Sequence, residues 1–132
     1  MVPRPVLLGL TLCDHVIVEE RTRKVSLVGC FSAIRVGSFP ATPPPFSGFA
    51  LLTDGLGDAT IQLSVSRMET QEDIYIREMP CHFPDRLTEV RVHFRIHQCV
   101  FPAPGWYQVT LLADGEWLAQ RLLRVYSVET SS

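Results

Sequence analysis

The stretch Glu89-Val90-Arg91-Val92-His93-Phe94-Arg95-Ile96-His97 restricts the fold more than any other part of this chain. From Val90 onward, apolar and basic residues alternate one by one. A period of two marks an extended strand, whose successive side chains point to opposite faces. Val90, Val92, Phe94 and Ile96 must face a dry interior, and Arg91, His93, Arg95 and His97 face water. The run also gathers positive charge on one surface of a chain whose formal net charge is −2.

Proline, glycine and polar turns cut the remaining sequence into short pieces, none with a 3.6-residue apolar pattern of useful length. Residues 6–12 are apolar, Asp14 and His15 interrupt them, and residues 16–18 resume. A charged turn over 19–24, with Arg21 and Arg23 at its tip, then joins this segment as a hairpin to a strand over 25–36. Gly29 inside that strand marks a bulge or a close backbone approach. Residues 39–46 hold Pro40, Pro43, Pro44 and Pro45 and form a stiff crossover that can carry the chain between two sheets. Strands are expected over 48–53 and 59–67, the first ended by the turn Asp54-Gly55-Leu56-Gly57. A weaker strand over 74–83 contains Pro80 and belongs at an edge. After the strand at Val90 comes a second proline corner over 101–105, then strands over 106–113 and 118–126. Asp114-Gly115 between them is a two-residue hairpin signal. The expected fold class is all-β, a single antiparallel β-sandwich of eight or nine strands. One domain spans 1–132, with residues 127–132 as a frayed tail.

Apolar residues make up 46% of the chain and charged residues 20%, a globular balance. The slight negative charge argues against a general binder of nucleic acid or anionic membrane. Residues 6–12 are at the short limit for a signal peptide and no small-x-small cleavage site follows. No stretch reaches the ~20 apolar residues of a membrane-spanning helix, so no membrane insertion is expected. Cys13, Cys30, Cys81 and Cys99 form no C-x-x-C pair and sit in or beside apolar runs. Free thiols in a reducing, cytoplasmic setting are the favoured reading, with two disulfides in an exported protein as the alternative.

Pro104-Gly105-Trp106-Tyr107-Gln108-Val109 resembles the tyrosine corner of immunoglobulin-like sandwiches, although the paired cysteines and strand tryptophan of antibody domains are missing. Several further stretches resemble a group of small uncharacterised bacterial β-sandwich proteins, a domain of unknown function. These are Cys13-Asp14-His15-Val16-Ile17, Lys24-Val25-Ser26-Leu27-Val28-Gly29-Cys30-Phe31, Phe39-Pro40, Pro104-Gly105-Trp106-Tyr107 and Asp114-Gly115-Glu116-Trp117-Leu118-Ala119. The resemblance implies an immunoglobulin-like architecture and no activity.

The first candidate site is the basic face Arg91, His93, Arg95 and His97, spaced about 7 Å apart along one side of a strand. It could hold phosphate, a carboxylate-rich partner or single-stranded nucleic acid, with Trp106 stacking nearby; or it is a solvated face paired with acidic residues. A zinc site would draw on His93, His97, Cys99 and Cys81-His82, but 93 and 97 lie roughly 13 Å apart on an extended strand. No metal is therefore assigned. Asp54, Asp58 and Asp114 are too few and dispersed for calcium and read as turn formers. Cys81 or Cys99 with His93 is a chance nucleophile pair, Asp14-His15 marks a bulge or turn, and no nucleophile elbow or phosphate loop occurs. No enzyme activity or cofactor is expected. Phe39, Pro43, Pro44, Pro45 and Phe46, with Trp117, are the candidate partner interface. Residues 118–126 carry apolar side chains on both parities, which means burial on both sides or an exposed strip. The sequence thus points to a non-enzymatic module that contacts an unidentified protein or a second copy of itself. The alternative is an anion binder working through the basic face.

Overall fold

Hydrophobic alternation is realised in nine strands. The structure, a computed structural model, describes residues 5–128. The strands are β1 (Val6–Val18), β2 (Val25–Cys30), β3 (Ala33–Val36), β4 (Phe46–Thr53), β5 (Gly57–Arg67), β6 (Asp73–Phe83), β7 (Val90–Ile96), β8 (Gly105–Ala113) and β9 (Glu116–Ser127). They form a four-stranded sheet in the order β2-β1-β4-β7 and a five-stranded sheet in the order β3-β9-β8-β5-β6. The larger sheet curls into a half-barrel. Val92, Phe94 and Ile96 of β7 are almost fully buried and join Ile61, Leu63 and Val65 of β5 and Val109 and Leu111 of β8 in one core. Each such side chain contributes about 1.5–3 kcal/mol by leaving water.

The first proline segment is the crossover expected of it, and the second, expected as a corner, also changes sheet. Residues 37–45 carry the chain from β3 in one sheet to β4 in the other, and residues 97–104 carry it back from β7 to β8. The two corners are pinned together where Ala41 and Phe101 exchange backbone hydrogen bonds of 2.9 and 2.8 Å. At the second corner the buried Tyr107 hydroxyl donates to the Ala103 carbonyl at 2.5 Å, as the corner motif implies. Asp114 and Gly115 both take positive φ, 49° and 82°, as the two-residue hairpin turn requires. The strand containing Pro80 is an edge strand.

Four details correct the sequence reading. The sandwich is not wholly antiparallel, because β3 pairs parallel to β9. The expected strand over 25–36 is two strands in different sheets: after Cys30 the chain leaves β1, and Phe31 turns inward with its ring edge-on to Phe46 at 5.5 Å. Asp14 and His15 do not interrupt β1, which runs unbroken through them. Gly29 makes this possible: its φ is +71°, and a Cβ there would lie 2.3 Å from Asp14 Oδ2. The missing side chain leaves room for the aspartate on the strand. Finally, β9 carries a bulge that resets its register: Leu112 faces Trp117 while Leu111 faces Ala119, so Leu118 is the extra residue; beyond it Leu123 and Val125 are buried and Leu122 is exposed on the opposite parity, the exposed strip of the two expected alternatives. Of the frayed tail expected over 127–132, Ser127 instead ends β9 and is buried, and residues 129–132 lie outside the described residues.

Two arginines on the inward-facing parity close the open sides of the sandwich. Arg121 of β9 donates to the Leu10 carbonyl of β1 at 2.7 Å. Arg77 of β6 donates to the Arg95 carbonyl of β7 at 2.7 Å. Both carbonyls point to an open edge by the alternation of their ladders, so each arginine satisfies an edge acceptor while joining one sheet to the other.

Candidate functional site

The basic face lies on the outer side of the four-stranded sheet, where it is arranged as cross-strand rows. Arg95 stands opposite Ser47, which stands opposite Cys13; His93 opposes Phe49, which opposes Thr11; Arg91 opposes Leu51. Cys13, Ser47 and Phe49 are buried despite pointing away from the core. Part of the reason is visible in the hydrogen bonds. Arg95 lies across β4, donating from one guanidinium nitrogen to Ser47 Oγ at 3.0 Å and to the Asp14 carbonyl at 2.6 Å. His93 Nε2 is 2.8 Å from the same Ser47 Oγ. Their partners are a hydroxyl and a carbonyl, not the acidic side chains considered from sequence. Burial first and the Arg95 charge second push the His93 imidazole below its ordinary pKa.

The four basic residues therefore do not act as one row. Arg95 and His93 cover the sheet, and the exposed Arg91 side chain makes no hydrogen bond or ion pair among the described residues. His97 lies beyond the end of β7 and is exposed.

The expected proline interface is only partly available. Phe46 is 3% exposed and belongs to the core, so it offers no docking surface. Phe39 is half-buried against the same core. Pro44 and Pro45 are exposed, Pro43 is half-buried, and Pro43 and Pro44 border a shallow cleft of about 370 Å³ shared with Asp14, Cys30, Ile34 and Arg35. The residues weighed for metal and catalysis diverge. Cys81 and Cys99 are buried in the core, with burial pushing the Cys99 thiol up to about 12. His82 instead pairs with Asp58 at 2.8 Å. Asp54 holds Arg86 at 2.8 Å, and Asp114 accepts from the Thr60 amide at 2.9 Å. Among the described residues no group of three or more His, Cys, Asp and Glu side chains is placed to hold a metal ion.

The outer face of the five-stranded sheet carries a patch that sequence reasoning did not assemble. Trp106 on β8 stands opposite Arg124 on β9, with Leu122 on the adjacent diagonal. The Arg124 guanidinium lies 5.0 Å from the centre of the Tyr126 ring. Trp106 is 52% and Leu122 44% exposed. Trp117 is also exposed, at 56%, but sits at the other end of the hairpin opposite Leu112. The signal was present in the strand parities, but reading it needed the bulge at Leu118 to bring Leu122, Arg124 and Tyr126 onto the Trp106 face.

A family model described as a family of unknown function, DUF6941, matches residues 8–126. The chain belongs to the DUF6941 family. The resemblance to proteins with no assigned activity is thereby borne out. No curated protein matches this DUF6941 chain. Among solved structures it is similar to the alkylpurine DNA glycosylase AlkC of Pseudomonas fluorescens, bound to DNA containing an abasic-site analogue, with a TM-score of 0.51 and 10% identity. The likeness covers 92% of this chain and 30% of the glycosylase, and it shows the fold alone. A β-glucosidase of Listeria innocua in complex with glucose is similar at a TM-score of 0.49 and 10% identity, over 94% of this chain and 16% of the enzyme. The chain thus spans less than a third of each of these proteins.

Proposed function

We propose that this protein is a non-enzymatic interaction module of immunoglobulin-like architecture, working in the bacterial cytoplasm through a protein partner. The observation that carries the reading is the patch of Trp106, Leu122, Arg124 and Tyr126 on one outer face. Tryptophan, tyrosine and arginine are the residue types that dominate binding energy at protein interfaces. The Tyr107 corner supports the immunoglobulin-like assignment, and the thiols Cys81 and Cys99, packed as core residues, suit a reducing compartment. Two arginines, Arg124 and Arg35, flank the Tyr126 strand position. They favour a partner surface with acidic side chains around an apolar centre.

The test is a differential capture from host cells with three baits: wild type, Trp106→Ser/Leu122→Ser, and Arg91→Ala/Arg95→Ala. The reading expects one protein, held by wild type and by the arginine variant, to be lost from the tryptophan variant while all baits keep their fold by circular dichroism. Retention on the tryptophan variant removes the reading. Loss on the arginine variant alone transfers it to the second reading, an anion binder, which the uncommitted guanidinium of Arg91 favours. That reading expects phosphate to raise the Tm of wild type and not of Arg91→Ala.

A further inference from the structure

Cys13 and Cys30 are direct cross-strand partners on β1 and β2. The Phe31 amide donates to the Leu12 carbonyl at 3.0 Å, which places the two cysteines at a non-hydrogen-bonded pair of the antiparallel ladder. Such pairs bring their Cα atoms to about 4.5 Å with both side chains on one face, inside the roughly 4.4–6.8 Å span a disulfide accepts. The thiols also lie within electrostatic reach of each other. They differ in access. Cys30 is exposed and borders the cleft beside Asp14 and Phe31. Cys13 is fully buried, with its thiol donating to the His15 carbonyl at 3.4 Å. Cys81 on β6 and Cys99 in the connection between β7 and β8 are both buried in the core.

We infer that Cys13 and Cys30 form a thiol-oxidation site, in which Cys30 meets a peroxide and Cys13 resolves it as a disulfide. The Cys30 thiolate attacks one peroxide oxygen, the O–O bond breaks, and hydroxide leaves Cys30 as a sulfenic acid. The Cys13 sulfur then attacks the Cys30 sulfur, the S–O bond breaks, and the departing hydroxide takes the Cys13 proton as water. In total two thiols are oxidised to one disulfide and one hydrogen peroxide is reduced to two waters. The cross-link fastens β2, the edge strand of the smaller sheet, to β1 and fixes one wall of the cleft.

The experiment uses the full-length reduced protein and hydrogen peroxide as the probe. After treatment the protein is alkylated in denaturant, weighed intact, and mapped by proteolysis. The expected product has lost two hydrogens, carries label on Cys81 and Cys99 only, yields a Cys13–Cys30 linked peptide, and returns to four labelled thiols with dithiothreitol. Cys13→Ala is expected to halt at the sulfenic acid on Cys30, trapped by a dimedone-type probe. A linked peptide containing Cys81 or Cys99, or over-oxidation of Cys30 with no link in the wild type, overturns the inference. Mapping of the wild type decides the matter even if the alanine variant fails to fold.

Discussion

Tyr107→Phe isolates the hydroxyl that pins the corner returning the chain to the larger sheet. Tyr107 is 1% exposed, and its ring stands edge-on to Phe101 at 4.9 Å with an interplanar angle of 84°. A phenylalanine keeps that packing and deletes only the hydroxyl, which donates to the Ala103 carbonyl at 2.5 Å and accepts from the Ala103 amide at 3.4 Å. The half-buried carbonyl then loses its donor, which costs about 1–2 kcal/mol. Tyr107→Ala also empties the ring's place beside Phe101 and should cost about 3–5 kcal/mol. For a chain of this size the phenylalanine variant is expected to lose about 3–8 °C in Tm. Urea unfolding followed by fluorescence of the two tryptophans gives both free energies, with an unchanged denaturant slope expected for the phenylalanine variant. A phenylalanine variant as stable as wild type would refute the role of the hydroxyl. One as damaged as the alanine variant would show that the ring packing itself depends on that hydrogen bond.

Gly29→Ala should destabilise by about 1–2 kcal/mol from its positive φ alone, and further through the contact with Asp14. Adding Asp14→Ala should recover only the second part, and a double variant no better than the single would remove the contact from the account. Arg121→Met should lose about 1–2 kcal/mol by freeing the Leu10 carbonyl, read as faster amide exchange around the facing stretch of β1. His93 has a folded pKa below its ordinary 6.5, so the unfolded chain binds its proton first as pH falls. Its contribution is complete above about pH 6.5 and is lost as pH drops toward the folded pKa. His93→Gln should flatten that part of the stability–pH curve, and an unchanged curve would contradict it. A maleimide should label Cys30 first in the native protein and Cys99 only on unfolding, because the Cys99 thiol is pushed up to about 12 by burial.

Local alternation and turn chemistry are legible in the amino-acid sequence itself. Val90 to Ile96 had one parity dry and the other wet, and Asp114-Gly115 had two residues able to take positive φ. Pro80 excluded a central strand for the same reason it sits on an edge, the missing amide donor. The features that escaped are set between distant segments. Nothing near Asp14 announces that Gly29 will stand opposite and leave space for it. The parallel β3–β9 pair joins segments some ninety residues apart, and its four-residue β3 is too short to show a period. Nothing in the sequence marks Arg121, whose inward place depends on the bulge at Leu118 and whose partner is a carbonyl on the other sheet. The basic face was legible as a face, but its hydrogen-bond partners were not, since Ser47 and the Asp14 carbonyl come from β4 and β1.

These placements bear on how the sandwich meets other molecules. A strand edge with free carbonyls and amides is the simplest route to pairing with a second copy. Here the β7 edge has its Arg95 carbonyl occupied by Arg77, the β6 edge lacks a donor at Pro80, and the open stretch of β1 has its Leu10 carbonyl occupied by Arg121. Each device removes one link of a potential ladder and so weakens pairing along that edge. At these three edges contact through faces is then favoured over contact through edges. Of the two outer faces, the four-stranded one already covers Cys13 and Ser47 with its own Arg95 and His93, so a partner landing there must displace those hydrogen bonds. The five-stranded face leaves Trp106 and Leu122 half in water, and covering them removes apolar surface without breaking any side-chain hydrogen bond of theirs. Substituting Trp106 and Leu122 should therefore leave the fold intact while abolishing the proposed contact. Substituting Arg95 should do the reverse, lowering stability and leaving the contact in place.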